Sequence, residues 1–216
     1  MKRIGMDIRR QMDQIYRDLP LDRIPWNLTE PPEILVDAVE SGKIKPCQAV
    51  DLGCGAGNYS VWLARRGFDV TGLDISEKAI SYAEELADKN GVECHFEAID
   101  LLGDLEKYHS TFDFAFDWEL LHHIFPEDRE RYLDNVRRIL RSGGLYLSIC
   151  FSEADPDFGG EGKTRKTRIG TVLYFSSEDE LRELYGPRFQ ILDLETAEIK
   201  GKYGPHLVNA AWLKRE

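Results

Sequence analysis

The chain has 216 residues, 42% of them hydrophobic, enough for one α/β domain with a substantial core. Its 28 basic and 39 acidic residues leave a formal charge of -11, which repels nucleic-acid phosphates and acidic membrane surfaces and argues against polyanionic partners. Cys47, Cys54, Cys94 and Cys150 form no C-x-x-C pair and no zinc spacing, and neither a leader nor an apolar run of membrane-spanning length is found, so a cytoplasmic chain with reduced thiols is expected.

Ile8, Met12, Ile15 and Leu19 recur at helical spacing, which predicts an amphipathic helix near the start. It is expected to pack over a sheet edge within an N-terminal arm or lid, residues 1–40, ahead of a main domain at 41–216. The run Ala49-Val50-Asp51-Leu52 reads as a buried strand entering a glycine turn, and Asp69 to Asp74, Glu93 to Ile99 and Phe112 to Asp117 read as further strands. Between them Ile80, Ala83 and Ala87 share a helical face, as do Leu133, Val136 and Leu140. Gly67, Gly91 and Gly143 follow basic residues and are expected to close helices. After a strand ending near Phe151 comes a long connection carrying Lys163-Thr164-Arg165-Lys166-Thr167-Arg168. It reads first as a solvated loop and second as a lid that meets an anionic substrate. Ser177 and Glu180 have capping-box spacing, Gly186-Pro187 ends that helix, and strands at 189–196 and 206–213 complete the sheet. Strands alternating with helices indicate a parallel sheet covered on both faces.

The glycine turn carries most of the functional information. Asp51-Leu52-Gly53-Cys54-Gly55-Ala56-Gly57-Asn58 sets an acid before three glycines at alternate positions, opening the main chain to a ligand. A dinucleotide fingerprint needs glycine or alanine where Asn58 stands, and a P-loop needs a lysine that this turn lacks. Backbone N–H groups suit a carboxylate and Asp51 suits an ammonium group, so the turn fits a zwitterionic end such as that of S-adenosylmethionine. Asp74 ends the next strand about twenty residues beyond the first glycine, where an acid accepts both ribose hydroxyls.

From Asp51 through Gly144 the sequence resembles the class I S-adenosylmethionine-dependent methyltransferases. The resemblance implies a Rossmann-like, seven-stranded, mostly parallel sheet with helices on both faces and the last strand antiparallel. It implies a cofactor site of Asp51, Gly53, Cys54, Gly55, Gly57, Asn58, Asp74, Ile75 and Asp117. Asp100 would meet the exocyclic amine of adenine, and the Leu101 N–H its ring. Trp118-Glu119-Leu120-Leu121-His122-His123-Ile124 is similar to the family's segment after strand four, and Leu140-Arg141-Ser142-Gly143-Gly144 matches its L-x-P-G-G turn with Ser142 in place of proline. In that family an N-terminal helix often covers the active-site mouth, which makes Tyr16 and Trp26 candidates to close it. Trp26 then serves either as a cation–π face for a sulfonium or as an anchor of the arm. No D/N-P-P-Y/F/W signature and no Pro-Cys nucleophile follow strand four, so a small-molecule acceptor is expected rather than DNA or RNA. The compact length and the long loop near 152–172 are similar to tellurite-resistance and thiopurine or thiol methyltransferases.

Methyl transfer is an in-line displacement at a carbon activated by positive sulfur, so positioning and water exclusion dominate. A hydroxyl acceptor benefits from a base, whereas a thiolate, halide or chalcogen oxyanion needs none. Asp117, Trp118, Glu119, His122 and His123 lie near the end of strand four. The histidine pair reads first as structural, with His122 the better base candidate and Tyr16, Trp118 and His123 facing the acceptor. No metal is expected, and the chain is expected to be a monomer or weak homodimer. Two other classes stay open: a cofactor-binding module without turnover, and an NAD-dependent oxidoreductase, which Asn58 disfavours.

Overall fold

The computed structural model describes residues 8–156, 158 and 162–216, so the first seven residues of the expected arm and four residues of the long connection lie outside the described residues. Strands β1 (Gln48–Leu52), β2 (Asp69–Asp74), β3 (His95–Ala98), β4 (Phe112–Trp118) and β5 (Leu140–Phe151) pair in parallel in the order β3-β2-β1-β4-β5. Strands β6 (Thr164–Lys166) and β7 (Val172–Tyr174) form a separate hairpin. The main sheet is completed by β8 (Gln190–Lys200) at its edge and β9 (Pro205–Lys214), which is antiparallel to both β5 and β8. This is the seven-stranded, mostly parallel sheet with a reversed last strand that the sequence predicts. The chain changes winding direction between β1 and β4, and open α/β sheets bind ligands beyond the strand ends at such a switch.

Helix α1 (Ile8–Asp18) precedes the sheet, α2 (Glu33–Glu40), α3 (Asn58–Ala64) and α4 (Glu77–Asn90) cover one face, and α5 (Pro126–Ile139) and α6 (Glu178–Tyr185) cover the other. Leu35, Leu63, Val70, Phe116 and Trp212 build the first core, and Val50, Leu73, Tyr132, Val136 and Leu181 the second. Each fully buried aliphatic side chain among them contributes about 1.5–3 kcal/mol relative to exposure.

Strict alternation along β4 would put Phe112, Phe114 and Phe116 on one face. A register shift between Phe112 and Phe114 breaks that phase, so Phe112 packs with α5 while Phe114 and Phe116 pack with α2 and α3. Asp117 therefore turns into the core on the α5 side. Its carboxylate accepts hydrogen bonds from Tyr132 Oη (3.0 Å), Tyr146 Oη and Ser148 Oγ (3.1 Å), and Tyr185 donates in turn to Ser148 (3.0 Å). The cofactor role expected of Asp117 is corrected accordingly: it is the acceptor of a buried hydroxyl network.

Three other expectations change. Helix α5 ends at Ile139 and the chain enters β5 at once, so Gly143 closes no helix; its N–H donates to Arg215 O (2.7 Å) beside the sheet end. Helix α1 buries Met12, Ile15 and Tyr16 but packs against α4 rather than a sheet edge. There Asp13 accepts from Ser76 Oγ (2.5 Å) and Lys78 N (3.1 Å) at the start of α4. The basic run is solvated only in part: Lys166 and Arg168 are exposed, but Arg165 is buried and donates to Asp155 O (2.6 Å) and Glu153 O (2.8 Å). Lys163 pairs with Glu180 (2.8 Å), and the turn after β6 reaches α1 through Gln11 Nε2 and Gly170 O (3.4 Å).

Burial raises the Asp117 carboxyl from 3.8 to about 6 against the opposing pull of its hydroxyl donors. Between those values the folded chain keeps a proton that the unfolded chain has lost, so this contribution to stability is full below about pH 4 and disappears as pH rises through about 6. Asp117→Asn cannot titrate. In urea unfolding, its stability relative to wild type is expected to improve by about 1–3 kcal/mol from about pH 4 to about pH 7; a constant difference would refute the buried-acid reading.

Candidate active site

The turn after β1 is tied to β2 before any ligand is considered. Gly53 N (2.7 Å) and Cys54 N (3.1 Å) both donate to Leu73 O, and Gly57 N donates to Cys54 O (2.9 Å). Gly55 N donates to Asp74 Oδ2 (2.9 Å), while Asp74 Oδ1 accepts from Ser76 N (2.9 Å). These amides are satisfied internally, which revises the expectation that they receive a carboxylate; the three missing side chains instead let Leu120, Tyr16 and α4 close in on the turn. At Gly55, φ is +53° and a Cβ would stand 2.6 Å from Tyr16 Oη. At Gly57, φ is +78° and a Cβ would strike Ala83 of α4 at 2.7 Å.

Asp51 lies beneath this turn, 2% exposed, accepting from Ser60 Oγ (2.6 Å). Burial lifts its carboxyl to about 7, against the Ser60 hydrogen bond and with some help from the charge of Asp74. Burial also raises Asp74, opposed by its two backbone donors. Farther along the rim, Asp100 is exposed and accepts from Leu102 N (2.9 Å). The adjoining backbone is fixed by Asn135 of α5, whose Nδ2 donates to Leu101 O (2.9 Å) and Gly103 O (3.0 Å). Ile75 is half-buried and packs into the cluster formed by α1.

The arm roofs the turn. Trp26 Nε1 donates to Tyr16 Oη (2.9 Å), and the Trp26 ring meets His123 edge-on at 6.0 Å. Asn58 Nδ2 donates to Asn27 Oδ1 (2.8 Å). From the β8–β9 turn, Lys202 Nζ donates to Ile24 O (2.7 Å) and Asn27 O (2.9 Å), a clamp between distant parts of the chain. Trp26 is thus an anchor of the arm that also walls the site.

Past β4, Leu120 leans over Gly53 and a short 3-10 turn, Leu121–His123, carries the histidine pair. The buried guanidinium of Arg129 holds that turn, donating to Ile124 O (2.8 Å), Leu121 O (3.3 Å) and Ser176 Oγ (2.8 Å). His122 stacks on Phe151 at 4.4 Å, and Phe158, Phe175 and His206 extend this aromatic group. Burial pushes His122 well below the usual imidazole range, reinforced by His123, Arg129 and His206, and burial alone takes His123 to about 4. Both rings are neutral at neutral pH and weak bases, which undercuts the base role expected of His122.

The structure therefore brings together Tyr16, Trp26, Asp51, Gly53, Cys54, Gly55, Gly57, Asn58, Asp74 and Ile75, places Trp118, His122 and His123 alongside, keeps Asp100 and Leu101 on the rim, and removes Asp117. Sequence reasoning passed over Asn135, Arg129 and Lys202, whose roles depend on carbonyls of distant segments. A groove of about 410 Å³ lined by Asp104, His109, Arg131 and Arg138 lies apart from all of these residues.

Residues 49–144 match the model of a family described as a methyltransferase domain. The chain is 28% identical over 180 residues to the 2-heptyl-1-hydroxyquinolin-4(1H)-one methyltransferase of Mycobacteroides abscessus, covering 82% of this chain and 73% of that one. It is 32% identical over 148 residues to the ubiquinone biosynthesis O-methyltransferase of Rhizobium johnstonii, covering 68% of this chain but only 54% of that one. The 1,6-didemethyltoxoflavin-N1-methyltransferase of Burkholderia thailandensis, solved with 1,6-didemethyltoxoflavin and S-adenosylhomocysteine, shares the fold with a TM-score of 0.71 at 20% identity, over 96% of this chain and 87% of that one. With the strand order, the glycine turn and the acid ending β2, these matches make the chain a member of the class I S-adenosylmethionine-dependent methyltransferases.

Proposed function

We propose that the protein transfers a methyl group from S-adenosylmethionine to a small-molecule acceptor bound beside Trp118, His122 and His123. The observation that carries this reading is the position of Trp26, which touches Tyr16 over the glycine turn on one side and His123 of the aromatic group on the other. One wall thus separates, and joins, a compartment built for a nucleoside and one built for an apolar partner.

In this reading Asp74 holds the ribose hydroxyls, Asp100 and the Leu101 N–H hold the adenine, and Ile75 covers its face. Gly53, Cys54, Gly55, Gly57 and Asn58 line the amino-acid end above Asp51. Bound there, S-adenosylmethionine supplies an electrophilic methyl carbon on positive sulfur. The aromatic rings of Tyr16 and Trp26 and the nearby carboxylates favour that positive charge, and the arm excludes water. Neutral histidines leave the field unopposed.

The named relatives act on a hydroxyquinolinone and in ubiquinone biosynthesis, which supports a small acceptor for this chain. The net charge of -11 argues against nucleic acid, and no helix among the described residues is long and apolar enough to cross a membrane. We place the protein in the cytoplasm as a monomer or weak homodimer, with residues 1–40 acting as a lid on the domain at 41–216.

Two measurements test this reading. Asp74→Ala is expected to weaken S-adenosylmethionine binding by about 1.5–3 kcal/mol, roughly 10- to 150-fold in calorimetry, because a charge-assisted contact is lost; unchanged affinity would remove Asp74 from the site. Lys202→Met is expected to release the arm, speeding proteolysis near residues 20–30 and weakening cofactor binding by about 1 kcal/mol while leaving the melting temperature of the sheet domain nearly unmoved. Equal proteolysis of both proteins would rule out the clamp.

A further inference from the structure

Glu119 is the anomaly at the end of β4. It is a non-glycine residue with φ of +63°, in the left-handed region that costs an L-residue free energy, and its own N–H is fixed to Ile149 O at 3.0 Å. Its half-buried carboxylate takes no hydrogen bond and no ion pair among the described residues. Around it the same defect repeats. Trp118 Nε1, Tyr59 Oη, His122 Nδ1 and His123 Nδ1 are all buried without a partner, and the Trp118 and Tyr59 rings meet edge-on at 6.3 Å. Buried polar atoms are almost always paired, so this many exceptions beside one strand end, among aromatic rings, mark the place of a ligand that carries polar atoms on an apolar frame.

We propose that Glu119, rather than a histidine, is the general base of the reaction, and that the acceptor is an aromatic molecule presenting a ring-bound O–H or N–H to it. The inference rests on the methyltransferase reading above. The carboxylate of Glu119 takes the acceptor's proton as the electron pair of that O–H or N–H bond forms the new bond to the methyl carbon. The pair of the old methyl–sulfur bond stays on sulfur and discharges its positive charge, and Glu119 later returns its proton to water. Trp118 Nε1 and Tyr59 Oη are placed to donate to other acceptor atoms on the ring.

The surroundings favour this assignment. Tyr59 of α3 is the titratable group nearest in effect to Glu119, while His122 and His123 on its own segment are held neutral, and no lysine or arginine pairs with it among the described residues. Burial alone raises the Glu119 carboxyl to about 7, which matches a base working near neutral pH, whereas His123 at about 4 takes a proton poorly. The strained backbone is a further mark of a side chain held for chemistry.

The test uses the full chain as wild type, E119Q and E119G, the last relieving the left-handed backbone so that folding is preserved. Without any acceptor, the wild-type minus E119Q infrared difference is expected to show a protonated-carboxyl band that disappears near neutral pH, over the bands of Asp51 and Asp117 that both proteins share. A band difference lost already in the ordinary carboxylate range overturns the proposal. With S-adenosylmethionine and 2-heptyl-1-hydroxyquinolin-4(1H)-one, or thiophenol as an acceptor that ionises without help, release of S-adenosylhomocysteine is followed against pH. The expected result is a loss of roughly 10²- to 10⁴-fold in kcat for the hydroxyl acceptor in both variants, with the neutral-pH inflection gone, KM within about threefold and the thiophenol rate preserved. Retention of the hydroxyl rate or of the inflection in E119Q, or transfer by wild type to thiophenol alone, overturns it. A wild-type protein that binds no S-adenosylmethionine in calorimetry instead overturns the underlying methyltransferase reading.

Discussion

The site is organised by two backbone hydrogen bonds that converge on Asp74. One oxygen draws in Gly55 N–H and the other Ser76 N–H, so a single carboxylate joins the glycine turn to the start of α4. Ser76 then caps α4 by accepting from Ala79 N (3.1 Å) and donates to Asp13 of α1. Floor, side wall and roof are thereby referred to one residue. The turn can approach Tyr16 closely because Gly55 lacks a side chain, and it can approach α4 because Gly57 does.

Electrostatics give the site a sign. Asp51, Asp74 and Glu119 are all raised by burial, and none has a cationic partner among the described residues. Desolvated carboxylates without counter-ions are unfavourable, and an entering sulfonium compensates them where a neutral or anionic ligand cannot. The histidines add no opposing charge, because burial keeps them unprotonated.

What the sequence made legible was local. The glycine spacing, Asp74 and the capping residue Ser177 all follow from residues a few positions apart, where backbone geometry decides. The failures came from distance and phase. The face that Asp117 takes is set by the irregularity between Phe112 and Phe114 upstream of it, which no composition or period announces. Gly143 sits after basic residues, as a helix cap would, yet β5 begins three residues earlier. Arg165 lies in a run that looks solvated, but main-chain carbonyls from the same connection enclose it. Lys202 and Asn27 meet across 175 positions, and Asn135 meets Leu101 across 34, separations at which only the finished fold brings donor to acceptor. Glu119 belongs to the same lesson, since its significance appears only once its neighbours are seen to be unpaired.

The irregularity in β4 reaches beyond the two phenylalanines it separates. Because side chains alternate from residue to residue, it acts as a gear that sets which member of each following pair looks toward α2 and α3 and which toward α5. Removing one residue there would carry the reactive end of the strand half a turn around, swapping the tyrosine-bound acid for the tryptophan beside it while leaving composition and overall architecture almost untouched. Relatives with the same motifs but a differently placed slip would thus present different chemistry from near-identical letters.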